Sequence, residues 1–353
     1  LSDDGIVLLA GMLAEPAVMK ALGLNAAGAA ADDGTGLGAQ SCSPSLKGGA
    51  PGGCGPLVPV LPNQALRRYA EVMELVPVPG PHGPVLGLNP SGAPSPPHDA
   101  ADPALAAAIA RAIAASTQPV ALIRKRLPLI AGWVASQRRA EDERGLPLPP
   151  GPADPDRLRI EERREPYAAY FSVHELRLRH RLHRGGWSAP VERAVFVSGD
   201  AVVVLPWDPV RDRVLLVDQL RAGPAARGDA QPWVHEPIAG RIDAGESPET
   251  TARREAEEEA GITLGRLIPV PAHYPSPGIM AEYVYSFVGI ADLPDGIATV
   301  SGLDSEGEDI RGTLLAREEL TRMTLDGRIV SGPLMILALW LDRMAPRLQA
   351  GKG

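Results

Sequence analysis

The chain has 353 residues, a formal net charge of −8 and a sequence pI near 5.5. Its length is a prior for two domains, and its acidic balance argues against nucleic acid or an anionic membrane as partner. Cys42 and Cys54 alone make no disulfide framework, no run of 18 apolar residues marks a membrane helix, and a cytoplasmic setting is expected. Residues 27–55 are Gly-rich and residues 77–97 Pro-rich, so loops are expected in both. Residues 104–115 and 119–139 read as two helices, with Arg124, Lys125, Arg126, Arg138 and Arg139 expected on a solvated face of the second. Five prolines between 145 and 155 (Pro147, Pro149, Pro150, Pro152, Pro155) mark a linker. The expected domains are therefore residues 1–150 and 151–353.

Beyond the linker the alternation sharpens. Strands are expected at 170–180, 194–197, 201–205, 213–220, 233–238, 282–290 and 310–315, with a C-terminal helix near 333–348. Trp207 and Trp233 are expected in the core, and His235 and His273 as structural groups without metal-ligand partners. The pattern fits an α/β domain with a mixed sheet between helices.

Residues 240–262 carry the densest chemistry. Ser247 is placed to cap a helix, Pro248 suits its first position, and Gly261 its left-handed end. Between them Glu255, Glu258 and Glu259 fall at i, i+3 and i+4 and so share one face. Clustered carboxylates need a cation, and hard oxygen donors suit Mg²⁺ or Mn²⁺. Gly240 and Gly245 let the preceding loop pass close, where the Ala239 carbonyl can add a ligand. A solvated acidic face is the competing reading of such a helix.

Gly240, Glu246, Arg254, Glu255, Glu258, Glu259 and Gly261, with Ala256 and Ile262 apolar, resemble the Nudix box, G-x5-E-x7-R-E-U-x-E-E-x-G-U, at every position. The resemblance implies a Nudix α/β/α sandwich and hydrolysis of a nucleoside diphosphate linked to another group. Residues 184–188, Arg193, 204–212 and 215–221, Pro277 sixteen positions after Gly261, and the acidic run 302–311 are similar to the ADP-ribose pyrophosphatase branch. That branch implies Mg²⁺ (or Mn²⁺) as cofactor, ADP-ribose as substrate and a homodimer completed by strands within 170–205. GDP-mannose hydrolysis, or a noncatalytic ADP-ribose sensor, are the alternatives.

The same resemblance implies roles. Ala239, Glu255, Glu259 and Glu308 would hold metal, Glu306 would be the catalytic base, and Glu258 a ligand or supporting catalytic group. Arg221, Arg193, Gly240 and Glu282 would contact substrate. Glu246, Arg254 and Gly261 would shape the box, with Arg254 orienting Glu246 or a metal-binding carboxylate. Tyr274 or Trp187 are open to stacking a base. Residues 6–13 and 16–23 resemble the opening of gamma-glutamyl cyclotransferase-like domains. Ala10 and Met12 stand where that family has tyrosine and a hydroxyl residue, which implies a smaller, noncatalytic α+β domain.

Overall fold

The computed structural model describes residues 7–9, 11–25, 58–80, 83–88, 102–143, 155–302 and 309–351. The chain divides into two compact units, Leu1–Ala153 and Asp154–Gly353. Cys42, Cys54, most of the Pro-rich linker, Glu306 and Glu308 lie outside the described residues. Among the described residues no helix is long and apolar enough to cross a membrane.

The first unit runs β1 (Val7–Leu9), a 3-10 turn (Gly11–Ala14), α1 (Pro16–Ala21), β2 (Val58–Val60), α2 (Gln64–Val72), β3 (Leu75–Gly80), β4 (Gly83–Leu88), α3 (Pro103–Ala115), α4 (Val120–Lys125) and α5 (Leu127–Asp142). Its sheet has the order β2-β1-β4-β3, with β1 and β4 parallel and the other pairs antiparallel. Asn63 caps α2 by accepting from the Leu66 amide at 2.8 Å, and its Nδ2 donates to the Leu22 carbonyl at 2.7 Å, tying α2 to the end of α1.

Two expectations for this unit need correction. The helix expected over 119–139 is broken at Arg126, because Pro128 has no amide hydrogen to give the Arg124 carbonyl four residues back and its ring would clash with that carbonyl in a continuous helix. Nor is its basic run simply solvated. Arg126 is buried, and Arg124 donates to the carbonyls of Glu71 (2.8 Å) and Val72 (3.2 Å) at the end of α2. Arg138 bonds Asp102, the cap of α3.

The second unit opens with three antiparallel strands, β5 (Leu158–Ala168), β6 (Ser172–His180) and β7 (Val191–Val197). It continues with β8 (Ala201–Asp208), β9 (Arg213–Leu220), α6 (Ala222–Arg227), β10 (Trp233–Glu236), β11 (Ile238–Arg241), α7 (Pro248–Ala260), β12 (Leu267–His273), β13 (Val284–Ile290), β14 (Val300–Ser301), β15 (Ile310–Ala316), α8 (Arg317–Leu325) and α9 (Gly332–Gln349). The main sheet runs β12-β13-β8-β9-β15-β14. β8 and β9 pair only at Trp207–Val214 and Asp208–Arg213, beside their turn. Beyond that point they part, β11 lying along β8 and β10 along β9. β13 is parallel to β8, so the sheet is mixed.

Alternation along β8 sets the layers. Val202 and Val204 pack with Ala252, Ala256 and Ala260 of α7, whereas Val203, Leu205 and Trp207 pack with Leu334, Leu337 and Leu341 of α9. The result is an α/β/α sandwich with an apolar core on each face of the sheet. Small alanines on α7 let the helix sit close to the strands, which keeps its acidic face beside β11. Trp207 is fully buried, with its indole donating to Asp212 at 3.1 Å. Trp233, expected in the core, is half exposed because β10 pairs on one edge alone. β5, β12 and α8 carry no clear periodicity and went unforeseen.

Candidate active site

The site is built where α7 crosses β11. Ser247 Oγ accepts from the Thr250 amide at 3.1 Å and starts α7, with Pro248 following. Gly261 ends it at φ 62°. These two stops fix the phase of the helix and therefore the face that carries Glu255 and Glu259.

Glu259 is buried, and its carboxylate accepts from the Ala239 amide on β11 at 3.1 Å. In an antiparallel ladder a residue turns its amide and carbonyl to the same side. The Ala239 carbonyl therefore also leaves β8 on the side of α7. Glu255 lies over the next residue, Gly240. A Cβ at Gly240 would meet the Glu255 carboxyl group and fall 2.6 Å from its Cγ, so only glycine admits this packing.

Arg254 links the carboxylates. It donates to Glu246 from Nε (3.2 Å) and Nη2 (3.1 Å), and from Nη1 to both Glu255 and Glu258 at 2.8 Å. Nη2 also reaches the Arg241 carbonyl at 3.3 Å, so the helix holds the end of β11 through the same side chain. Burial works against the Arg254 charge, but its bond to Glu246 and the field of Glu255 raise its pKa. For Glu246 burial is likewise opposed, by Arg254 and by the Thr251 hydroxyl at 2.7 Å, and the carboxyl is held below its usual range.

The expected acidic face is thus divided. Glu258 is held by Arg254, Glu255 is shared between Arg254 and Gly240, and Glu259 turns inward to Ala239. Among the described residues no three His, Cys, Asp or Glu side chains form a metal-binding group. Glu255, Glu259 and the Ala239 carbonyl still supply a compact set of oxygen donors, which fits a hard divalent cation.

Of the other expected residues, some flank this crossing and others lie apart from it. Glu282 accepts from Ser198 at 3.1 Å, and burial pushes its carboxyl up against the opposing effects of Ser198 and Arg241. Arg221 follows β9, at the start of α6, and bonds Glu236 of β10. Arg193 is on β7, exposed, with Nη1 donating to the Glu192 carbonyl at 2.8 Å. Its contacts remain within the three-stranded sheet. Pro277 sits in a turn tied to β7, where the Phe196 amide donates to Ile279 at 2.8 Å and the Ala281 amide to Phe196 at 2.8 Å. Tyr274 packs edge-on against Tyr283, and Trp187 lies between Arg159 and Arg181 rather than near the box. His235 faces Asp218 at 3.5 Å, and both ring nitrogens of His273 are buried without a hydrogen-bond partner.

Three contributors were missed: Thr251, Arg241 and Ser198, whose hydroxyl bonds Glu282. Thr251 occupies one of the seven unrestricted positions between Glu246 and Arg254, so spacing carried no signal for it. Arg241 stacks over Tyr170 at 4.5 Å and Phe171 at 5.2 Å, joining the β5–β6 turn to the box. An arginine next to the box glycine, with two adjacent aromatics upstream, was the available hint.

Fold and site together define an α/β/α sandwich whose acidic helix is clamped onto an internal strand. The NUDIX domain family model matches residues 197–334. The ADP-ribose pyrophosphatase of Escherichia coli K12 is 40% identical over 176 residues, covering 50% of this chain and 83% of that protein. The ADP-ribose pyrophosphatase of Haemophilus influenzae Rd is 35% identical over 185 residues, 52% of this chain and 85% of that protein. The GDP-mannose pyrophosphatase of Enterobacter sp. 638 is 31% identical over 151 residues, 43% of this chain and 78% of that protein. The chain belongs to the Nudix family.

Proposed function

We propose that the second unit hydrolyses the pyrophosphate of ADP-ribose, adding water across one P–O bond to give AMP and ribose 5-phosphate. The observation that carries the reading is the seating of Glu255 and Glu259 against Ala239 and Gly240, with Arg254 fixing Glu246, Glu255 and Glu258. The relatives named for ADP-ribose support the substrate, and the lower identity to those named for GDP-mannose makes that sugar the second choice.

Mg²⁺ or Mn²⁺ held by Glu255, Glu259, the Ala239 carbonyl and Glu308 would neutralise pyrophosphate oxygens and lower the pKa of a bound water. The chain's own residues do the rest. Arg254 bridges Glu255 and Glu258 through one nitrogen, offsets their mutual repulsion and orients both. Glu306 would take the proton of the attacking water. Arg221 can release Glu236 for a phosphate oxygen, since a guanidinium binds such oxygens in a fork. Glu282, whose carboxyl is pushed up by burial, would bind a ribose hydroxyl, and Arg193 would act from a partner protomer.

A homodimer is part of the same reading. Leu158 and Ile160, two residues apart on β5, are each about half exposed and share a face that a second copy would cover. The first unit is proposed to be a noncatalytic relative of gamma-glutamyl cyclotransferases, and the whole protein to work in the cytoplasm.

The test is a substrate panel with Mg²⁺, resolved by chromatography: ADP-ribose, GDP-mannose, nucleoside triphosphates and diadenosine polyphosphates. ADP-ribose is expected to have the highest kcat/KM. Chelator should abolish turnover, and Glu259→Gln should lower kcat by about 10²-fold or more, as when transition-state electrostatics are lost. Full activity in chelator, or a triphosphate turned over faster than ADP-ribose, would refute the assignment.

A further inference from the structure

The three-stranded sheet carries a cluster that the hydrolytic site does not use. Arg159 of β5 stands directly opposite Arg179 of β6. One step further the Arg181 amide bonds the carbonyl of Arg157 at 2.9 Å, where Arg157 closes the 3-10 turn Pro155–Arg157 that leads into β5. Arg181 in turn is bridged to Trp187. Residues two apart on a strand share a face. Arg159, Arg179, Arg181 and Trp187 therefore project from one face, at one end of the sheet, and Arg157 lies beside them in the turn that enters β5.

Like charges directly opposite each other destabilise a sheet, so this register has a cost that the fold itself does not need. Glu161 relieves only part of it, bonding Arg179 at 2.6 Å and Arg177 at 3.4 Å. Among the described residues no carboxylate forms an ion pair with Arg157, Arg159 or Arg181, although Arg159 (4.1 Å) and Arg181 (4.5 Å) lie against the Trp187 ring. All three arginines are exposed. The hairpin that presents them is well tied: the Leu182 amide bonds Gly186 at 3.0 Å, and Ser188 and His180 exchange bonds through backbone and hydroxyl. Leu158 and Ile160 alternate with the arginines and project from the opposite face, so a protomer docked there leaves the basic face open.

We propose that this face binds a multiply charged phosphate anion, held by the guanidinium groups of Arg157, Arg159 and Arg181 over Trp187. Adjacent strands and alternate residues set the roots of Arg159, Arg179 and Arg181 on a grid of about 5 by 7 Å. Flexible guanidinium forks can converge from that grid on neighbouring phosphoryl groups. The ligand is either an inorganic oligophosphate or a phosphate ester, and the two share this chemistry.

The test uses the full chain in chelator, so that metal-dependent binding at the box is silent, and follows tripolyphosphate and AMP by calorimetry and tryptophan fluorescence. Arg159→Gln with Arg181→Gln is expected to weaken binding by about 10-fold or more, as for lost charge-assisted hydrogen bonds. Arg343→Gln with Arg347→Gln, an equal charge loss on α9, should leave it unchanged. The Arg159 and Arg181 double variant should keep ADP-ribose turnover with Mg²⁺, which separates this face from the hydrolytic site. If that double variant is misfolded by circular dichroism, Arg157→Gln alone is read instead, with about a 3-fold loss expected. Binding of tripolyphosphate alone assigns the inorganic chain, and binding of both assigns any phosphoryl group. No binding of either anion, or equal losses in the two double variants, would overturn the proposal.

Discussion

Gly240→Ala isolates the contact between β11 and α7. Gly240 does not lie in the left-handed region, so alanine suits its backbone and the whole effect is steric. The new methyl would coincide with the Glu255 carboxyl group, while Glu255 Cγ lies 2.6 Å away. The carboxylate can leave only by swinging off its rotamer, at about 0.5–1.5 kcal/mol. It also surrenders the 2.8 Å bond from Arg254, a partly exposed guanidinium whose bond is discounted to about 0.5–1 kcal/mol. The sum is on the order of 1–2.5 kcal/mol, and in a unit of this size each kcal/mol lowers Tm by about 2–4 °C. The functional loss should be larger, because displacing a reacting group by about 1 Å costs on the order of 10²-fold in rate. Circular dichroism melts and Mg²⁺-dependent ADP-ribose hydrolysis measure both. A Gly240→Ala protein melting within about 1 °C of wild type would refute the packing argument, and an undiminished kcat would refute the role given to Glu255.

Three further expectations concern other parts of the chain. The Asp208 carboxylate is held at about 2, where burial is outweighed by bonds from the Arg211, Leu293 and Val210 amides and the Arg211 guanidinium. A depressed carboxyl stabilises the fold above its unfolded pKa and loses that contribution as pH falls toward 2. Asp208→Asn should therefore cost about 2 kcal/mol at pH 7 and flatten the acid limb of stability between about pH 4 and 2, read by urea unfolding across pH. His273 is kept below its ordinary pKa by burial, so protonation favours the unfolded chain as pH drops through about 6.5. His273→Leu should raise Tm more at pH 5.5 than at pH 8, and an equal shift at both would contradict the assignment. Residues 151–353 alone should fold and keep ADP-ribose turnover, whereas residues 1–150 should lack cyclotransferase activity. A folded but inactive fragment would mean that the first unit enters the active site.

How much could be read beforehand depended on whether the information was local. The start and end of α7 are written in Ser247, Pro248 and Gly261, and the i, i+3, i+4 glutamates need only helical geometry. β8 and β9 announced themselves through continuous apolar runs. β5 did not, because a strand exposed on most of its length has no buried face to impose alternation. The break at Arg126 was legible in Pro128 but was outweighed by helical periodicity on both sides. Arg254 was recognisable as a partner for box carboxylates. Its reach to the Arg241 carbonyl was not, since that contact depends on where β11 lies in the sheet. Thr251 and Ser198 gained their roles only from tertiary placement, and single hydroxyl residues carry no periodic signal.

The parting of β8 and β9 has a consequence for safety as well as for chemistry. A strand with an unpaired edge offers backbone donors and acceptors, and at the rim of a sheet such an edge invites another chain to add itself. Here the unpaired edge of β11 is opened in the middle of the sheet and roofed by α7. Its amide at Ala239 is already taken by Glu259. On the proposed reading the protein thereby offers the Ala239 carbonyl to a small ligand while denying the edge to a foreign strand, so closing the fork would remove that carbonyl without making the molecule any less prone to aggregate.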